Sequence, residues 1–218
     1  MLECSPSGEP FKRFLAAVGG LRTIIQGQRA RVKNRMRKGE PYEVKLAHTR
    51  KERIILGVDP GSMVTGYGLI KSDGQKNVLI DYGVIRTDSK KSLPEKLKKI
   101  FEGLSQIIAQ KQPDEFAIEE TFYSKNAKSA LVMGQARGVA ILAAACAKIP
   151  VWEYSPKEVK CSIVGHGNAS KQQVQYMVKN LLRLKDLPQP VDASDALAVA
   201  LCHAQKLRWK EKGLRFKV

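Results

Sequence analysis

Cysteines are few in this sequence, and no pattern groups them. The four, Cys4, Cys146, Cys161 and Cys202, form no CxxC pair and no zinc-ligand spacing. This argues against a structural zinc site and against a disulfide framework. We therefore expect reduced thiols in a cytoplasmic protein, where cysteine acts as a small buried hydrophobe.

Long apolar runs and an export signal are also missing. No uninterrupted apolar run approaches the roughly 18 residues of a membrane span. The segment FKRFLAAVGGL places basic residues before a short apolar patch, but two glycines interrupt the patch. Because no convincing small-residue cleavage site follows, we expect the protein not to be exported.

Acidic residues are scarce relative to basic ones. In 218 residues, 21 Asp and Glu oppose 38 Lys and Arg, which gives a formal net charge of +17. Such an excess favours a polyanionic partner, nucleic acid before an anionic membrane surface, with a merely basic surface as the alternative. Hydrophobic residues make up 43% of the chain, which is enough for one well-buried domain plus extra segments.

The chain divides into three parts by composition. Residues 1–52 are crowded with Arg and Lys and show no sustained apolar periodicity, so we expect a flexible basic extension. This extension either contacts phosphates or lies upstream of the natural start and has no role. Residues 53–207 carry regular patterns and form the predicted domain, and residues 208–218 form a basic tail.

The ordered part predicts one mixed α/β domain. Three β-rich runs, IILGVD, TGYGLIKS and NVLIDYGVI, precede a helix that begins at SLPEKL. Two further strands, EFAIEE and VWEYSP, alternate with helices, and two helices end the domain. The order β-β-β-α-β-α-β-α-α places helices on both faces of a five-stranded sheet. Gly66 and Gly68 predict a close backbone approach or a bulge.

Carboxylates stand at the ends of several predicted elements. Asp59 ends the first strand, Glu119 ends the strand FAIE, and Asp192 and Asp195 lie three residues apart at the start of the last helix. Strand ends cluster along one rim of such a sheet, and massed carboxylates favour a bound Mg²⁺ or Mn²⁺. The alternatives are a turn cap for Asp59, a helix cap for one of the paired acids, and a surface role for Glu119 beside an exposed Glu120.

Three stretches resemble the RuvC family of bacterial Holliday junction resolvases, also called crossover junction endodeoxyribonucleases. They are ILGVDPGSMVTGYGLI, AIEETFYSKNAKSALVMGQARGVAILAA and VDASDALAVALCHA, and the resemblance runs from about residue 53 to residue 205. It implies an RNase H-like fold and a homodimer that nicks two strands of a four-way junction symmetrically, leaving 5′-phosphate and 3′-hydroxyl ends. It also implies two Mg²⁺ ions per subunit, replaceable by Mn²⁺, a role in DNA recombination and repair, and partnership with the RuvA–RuvB complex.

The resemblance also assigns roles to individual residues. It implies catalysis and metal binding for four acids: Asp59, Glu119, Asp192 and Asp195. It implies DNA contacts for Phe122, which would stack on junction bases, and for Lys160 and Lys171 near the cleaved backbone. Some family members carry histidine at the position of Asp192.

Two further arguments come from the residues themselves. Phosphodiester cleavage by two metal ions suits the carboxylate set, and cutting two equivalent strands requires two copies of a domain with one such set. One helix carries the small-residue stripe Ala130, Gly134, Gly138 and Leu142, which permits close helix packing within the chain or between two copies.

Other functions fit the sequence less well. An actin-like ATPase shares the pattern GVDPGS, but such proteins need two domains and a second glycine-rich loop, and we find neither. A binding-only scaffold would be expected to have lost the acids. An RNase H-like nuclease that acts on RNA, such as pre-16S rRNA, remains open from fold alone. We expect His166 to be a loop residue rather than a ligand, and His203, about two helical turns beyond Asp195, not to be catalytic.

Overall fold

A five-stranded sheet runs through the part of the chain that the computed structural model describes, residues 52–120 and 127–211. Its strand order is β3-β2-β1-β4-β5. The strands are β1 (Arg53–Asp59), β2 (Val64–Ser72), β3 (Asn77–Arg86), β4 (Glu115–Glu119) and β5 (Val151–Tyr154). The predicted mixed sheet is therefore confirmed, whereas the limits of the N-terminal extension and C-terminal tail stay predictions.

Helices cover both faces of the sheet. They are α1 (Leu93–Lys111), α2 (Ala127–Cys146), α3 (Pro156–Val164), α4 (Lys171–Leu181) and α5 (Val191–Glu211). One hydrophobic core joins the sheet to α3, α4 and α5, and the other joins it to α1 and α2. The alternation of side chains along each strand explains the two cores, because neighbouring strand residues point to opposite faces.

Helix α3 is absent from the predicted order of elements. The segment is only 9 residues long and buries two residues, Val159 and Ile163, so it lacks the long apolar stripe that identified the other helices. Its start was nevertheless marked: Ser155 caps it, Pro156 follows in the first turn, and Glu158 closes a capping box. Cap chemistry was thus the available signal, and apolar periodicity alone missed it.

Three helices begin with the same reciprocal cap. A serine side chain meets the backbone of the third helical residue, and the side chain of that residue reaches back to the serine backbone. Two boxes close with glutamate and one closes with glutamine. The three pairs are Ser92 with Glu95 at α1, Ser155 with Glu158 at α3, and Ser170 with Gln173 at α4.

The sheet brings its parallel strand ends to one edge. β1 pairs in parallel with β4, and β4 pairs in parallel with β5, so their C-terminal ends meet. Asp59 pairs with Gly66 across the antiparallel β1–β2 ladder, and Glu119 pairs with Tyr154. The first two predicted carboxylates are therefore placed on neighbouring strands at the same rim.

Glycines let α5 lie directly on the strand backbone. A Cβ atom on Gly57 would collide with the carbonyl oxygen of Ala196 and lie 2.7 Å from the amide nitrogen of Ala200. A Cβ on Gly66 would collide with the carbonyl oxygen of Asp192. Gly66 thus serves the predicted close approach, and the bulge lies elsewhere, between Leu69 and Ile70.

Helix α2 leaves much of its apolar surface uncovered. Among the described residues, it is a helix long and apolar enough to cross a membrane by length and composition, with only 22% of its most apolar window buried. The helix contains Lys128, Gln135 and Arg137, so it is not an uninterrupted apolar run, and its mean hydropathy comes from alanines and a few larger apolar residues. Leu131 is 66% exposed and Leu142 is 52% exposed.

Candidate active site

A cavity of about 300 Å³ opens at the rim where β1 and β4 end. Three predicted acids and both predicted lysines line it: Asp59, Glu119, Asp195, Lys160 and Lys171. Asp59 and Glu119 are the last residues of their strands, Asp195 lies early in α5, and the lysines come from α3 and α4. Residues distant in sequence therefore meet in one place on the face covered by α5.

Burial and mutual repulsion change the acidity of the strand-end carboxyl groups. Burial, followed by the charges of Glu119 and Asp195, raises the pKa of Asp59 to about 8. Burial and the charge of Asp195 raise the pKa of Glu119 to about 7, although Lys171 and Lys160 act in the opposite direction. The carboxylates therefore lack sufficient positive charge nearby, even on a strongly basic chain.

Lys171 supplies part of the missing positive charge. Its Nζ lies 2.9 Å from Oδ2 of Asp195 and donates a hydrogen bond to it. This hydrogen bond raises the pKa of Lys171, so the lysine stays charged at neutral pH. The side chain remains 71% exposed, which leaves the ammonium group accessible to an incoming phosphate.

Asp192 does not line the cavity, and its predicted catalytic and metal-binding role stays a prediction. It lies in the first turn of α5, but among the described residues that line the cavity it does not appear. Its charge contributes the smallest of the effects on the pKa of Asp59. The two acids of α5 therefore differ in position, with Asp195 in the cavity and Asp192 outside it.

Six residues that line the cavity were not among the predicted site residues, and Glu120 and Met133 are two of them. Glu120, interpreted as an exposed alternative to Glu119, lines the same cavity, and its backbone N–H donates to the carbonyl oxygen of Tyr154 at 2.7 Å. Met133 reaches the cavity from α2. The adjacent acid was a visible signal for Glu120, whereas nothing in the sequence around Met133 distinguished it from a core methionine.

Phe122 lies outside the described residues, which omit 121–126. Its predicted stacking on junction bases therefore stays a prediction. The segment follows Glu120 directly in the sequence, next to a residue that lines the cavity.

The carboxylates of the cavity fit a divalent metal ion. Within the described ranges, no three His, Cys, Asp or Glu side chains stand close enough together to form a ready-made metal centre. Three carboxylates nevertheless share the cavity, and burial, followed by repulsion from neighbouring carboxylates, raises the pKa of both Asp59 and Glu119. Hard oxygen donors short of positive charge are what Mg²⁺ and Mn²⁺ bind, so the residues fit such an ion.

His203 belongs to a buried cluster away from the cavity. Its Nδ1 is 2.6 Å from the Tyr154 hydroxyl, and its Nε2 is 3.9 Å from Oε2 of Glu115. Glu115 accepts hydrogen bonds from Arg53 at 2.9 Å and from Trp152 at 2.7 Å. Burial, followed by the charges of Arg53 and Lys206, lowers the pKa of His203 to about 4. His203 is therefore neutral and structural, and it does not line the cavity.

The lowered pKa of His203 predicts a loss of stability in acid. Between about pH 6.5 and pH 4 the unfolded chain binds a proton at this histidine that the folded chain does not, so the free energy of unfolding falls as the pH falls. Relative to a His203→Gln variant, the wild type should lose about 2 kcal/mol between about pH 7 and pH 5. Urea unfolding of both proteins at the two pH values measures this difference. An equal change in the free energy of unfolding of both proteins between the two pH values would show that the pKa of His203 is not lowered.

Comparisons with known proteins agree with this architecture. A model of the family described as crossover junction endodeoxyribonuclease RuvC matches residues 55–203. The chain is 59% identical to RuvC of Shewanella pealeana over 150 residues, which are 69% of this chain and 86% of the relative. It is 52% identical to RuvC of Desulforamulus reducens over 152 residues, which are 70% and 93% of the two chains.

A solved structure gives a similar result. The structure of Thermus thermophilus RuvC in complex with Holliday junction substrate superimposes with a TM-score of 0.69 at 33% identity. The match covers 72% of this chain and 96% of that one. The similarity therefore extends over nearly all of the described residues.

Proposed function

This chain belongs to the RuvC family of crossover junction endodeoxyribonucleases, and we propose that its rim cavity is where it cuts the strands of a Holliday junction. The chain is a Holliday junction resolvase, and its family consists of metal-dependent nucleases. One observation carries the assignment of the site: Asp59, Glu119 and Asp195 meet two lysines in a single open cavity. The alternatives of an RNA-directed nuclease and an ATPase fragment are not favoured.

Asp59, Glu119 and Asp195 would hold the metal, with Asp192 as an outer contributor from the first turn of α5. When bound, two Mg²⁺ ions, replaceable by Mn²⁺, supply an activated water and neutralise charge at the scissile phosphate. Asp59 has the central position, because its acidity is coupled to the other three acids. Its carboxylate would therefore hold the metal from the centre of the carboxylate set.

The lysines would orient the phosphodiester. Lys171 stays protonated beside Asp195, and Lys160 lines the same cavity from α3. Both ammonium groups can donate hydrogen bonds to nonbridging phosphate oxygens and offset the charge that accumulates in the transition state. Phe122 would stack on a base exposed at the junction, as the family resemblance implies.

A cleavage assay tests this assignment. With Mg²⁺ in large excess over the protein, the protein should place paired, ligatable nicks in a synthetic mobile four-way junction. It should leave a linear duplex of the same sequence intact, and excess EDTA should stop all cutting. Product ends are identified by ligation and by phosphatase treatment. Equal cutting of the duplex, or undiminished cutting in EDTA, would contradict the proposal.

The exposed side of α2 is the proposed contact between two copies of the chain. Gly134 and Gly138 have nothing within 4 Å of an added Cβ atom, so the packing of this chain does not require their small size. Leu131 and Leu142 lie exposed along the same side. Glycines flanked by exposed leucines suit the close approach of a second apolar helix, and two copies provide the two active sites that paired nicks require.

Gly134→Leu should separate the dimer without unfolding the domain. The leucine side chain enters open space in the single chain but would collide with a closely packed partner helix. Sedimentation should show monomers, and paired nicking should fall at least about tenfold, because each resolution then needs two independent encounters. Glu102→Leu, which adds a leucine to an exposed site on α1, is the matched control and should remain dimeric. A dimeric Gly134→Leu protein would show that the interface lies elsewhere.

The remaining proposals concern the division of the chain into parts, its location in the cell and its protein partners. Residues 1–52 would form a basic extension that either contacts DNA phosphates or has no role, residues 53–207 would form the nuclease domain, and residues 208–218 would form a basic tail. Family membership supports action in the cytoplasm together with the RuvA–RuvB branch-migration complex.

A further inference from the structure

The segment that runs from α3 through α4 carries positive charge without acids. Residues 159–185 contain no Asp or Glu, although they contribute Lys160, Lys171, Lys179, Arg183 and Lys185. Lys171 pairs with Asp195 from another helix. Within the described part of the chain, no carboxylate forms an ion pair with the last three of these cations. Their charge is therefore available to a partner.

Helix α4 presents a distinct outer side. Its inner side buries Val174 and Val178, and the positions opposite them follow a helical repeat. We define the α4 outer face by its residues: Gln172, Tyr176, Lys179 and Arg183, the last of which follows the helix in the turn after it. The spacing of Gln172, Tyr176 and Lys179, i, i+4 and i+7, places these three on one stripe. Arg183 lies beyond the end of the helix, in a left-handed turn with φ 54°.

Tyr176 is the most unusual member of this face. It is 59% exposed, and the other residues of this face are an amide and two cations rather than apolar residues. A protein core does not explain a phenol in such surroundings. An anionic partner that also exposes sugars, as DNA does, explains the exposed tyrosine. The ring would pack on a sugar while the hydroxyl and the cations contact phosphates.

The outer face begins next to the cavity, at the first turn of α4. Helix α4 begins at Lys171, which lines the cavity, and runs for 11 residues, or about 16.5 Å at about 1.5 Å per residue. Along one DNA strand, phosphates follow at about 3.4 Å of axial rise, so the helix spans about five of them. A strand cut at the cavity therefore passes within reach of Lys179 and Arg183 if its duplex lies along α4.

We infer that the α4 outer face is a second DNA contact, which holds the backbone of the junction arm next to the cut. This inference rests on the proposed function, because it needs the scissile strand in the rim cavity. The contact is made to phosphates and sugars and carries no base recognition. It fixes the direction in which the arm leaves the active site.

Junction binding by a double variant, Lys179→Gln with Arg183→Gln, tests the inference. Its affinity at about 0.1 M salt should fall about tenfold, and the slope of log affinity against log salt should decrease by about 0.9 for each lost phosphate contact. Tyr176→Ala should weaken binding severalfold with no change in the slope, because the ring carries no charge. Saturating enzyme should still cut, since the cavity is unchanged.

The control is Lys98→Gln with Lys99→Gln. Both lysines are exposed on α1, on the other face of the sheet, and the substitution removes the same charge. The control should bind within about twofold of the wild type. A double variant of α4 that matches this control in affinity and slope would overturn the inference and favour an acidic protein partner for the face. A wild type that cuts no junction would instead overturn the proposed function itself, and the inference with it.

Discussion

Replacing Asp59 with asparagine will reduce junction cutting by at least about 1000-fold, which corresponds to about 4 kcal/mol of transition-state stabilisation. Asparagine retains the shape of the side chain but removes the charge that would hold metal ions at the centre of the cluster. DNA binding should be unchanged or tighter, because the substitution removes negative charge from the cavity that receives a phosphate. Single-turnover cleavage and equilibrium binding of the same junction measure the two effects.

The same substitution should not destabilise the fold. Burial and neighbouring acids raise the pKa of Asp59 to about 8, so a neutral side chain at this position relieves repulsion. Glu102→Gln, which neutralises an exposed acid on α1, is the control and should change neither binding nor cutting. An Asp59→Asn protein that has lost binding together with activity would show that Asp59 has a structural role.

Gly57→Ala should destabilise the domain by about 3 kcal/mol or more. The added methyl group would collide with the Ala196 carbonyl oxygen and lie 2.7 Å from the Ala200 amide nitrogen, and both are backbone atoms in the middle of α5. Neither atom can move unless the helix moves, and this helix carries Asp195. Since domains have only about 5–15 kcal/mol of total stability, urea unfolding will detect the loss easily.

Gly103→Ala provides a contrasting control for the same kind of substitution. A Cβ at Gly103 would lie 2.8 Å from Cδ1 of Ile85, which is the end of a flexible side chain rather than backbone. Alanine also favours the helical conformation by up to about 1 kcal/mol over glycine. The free energy of unfolding should therefore change by less than about 1 kcal/mol. A similar loss for both variants would mean that α5 tolerates displacement and that Gly57 does not set its position.

The sequence was sufficient to predict the strand-end acids because strands impose a simple geometry. Asp59 and Glu119 each end an apolar run, and parallel neighbours align their ends by hydrogen bonding. The ordering of elements therefore located both carboxylates at one rim. The position of the last helix was also predictable, but the rotation of that helix about its axis was not.

That rotation separates Asp195 from Asp192. Three residues along a helix turn the side chain through about 300°, so two such acids share a side without sharing a position. Which one faces the cavity depends on how α5 lies on Gly57 and Gly66, and this packing involves residues more than 100 positions away in sequence. The ion pair between Lys171 and Asp195, 24 residues apart, could not be predicted for the same reason.

Helix α2 shows a different limit. The stripe of small residues was compatible with packing inside the chain or between copies, because composition does not indicate which side of a helix its own sheet covers. The open space at Gly134 and Gly138 supplies that information. Met133, which lines the cavity, lies on the same helix and carried no signal, since an apolar residue in an apolar helix looks like core.

One detail of the helix caps has a consequence for the choice of residue at position 173. Glu95 and Glu158 close two of the capping boxes, whereas Gln173 closes the box at α4, accepting from the Ser170 N–H at 2.8 Å. A glutamate would make the same hydrogen bond and would interact more favourably with the helix dipole, by about 0.3–1 kcal/mol. It would also place a negative charge within one turn of Lys171, at the entrance for a polyanion. Local stability and substrate affinity thus favour different side chains at this position, and the chain carries the one suited to the substrate.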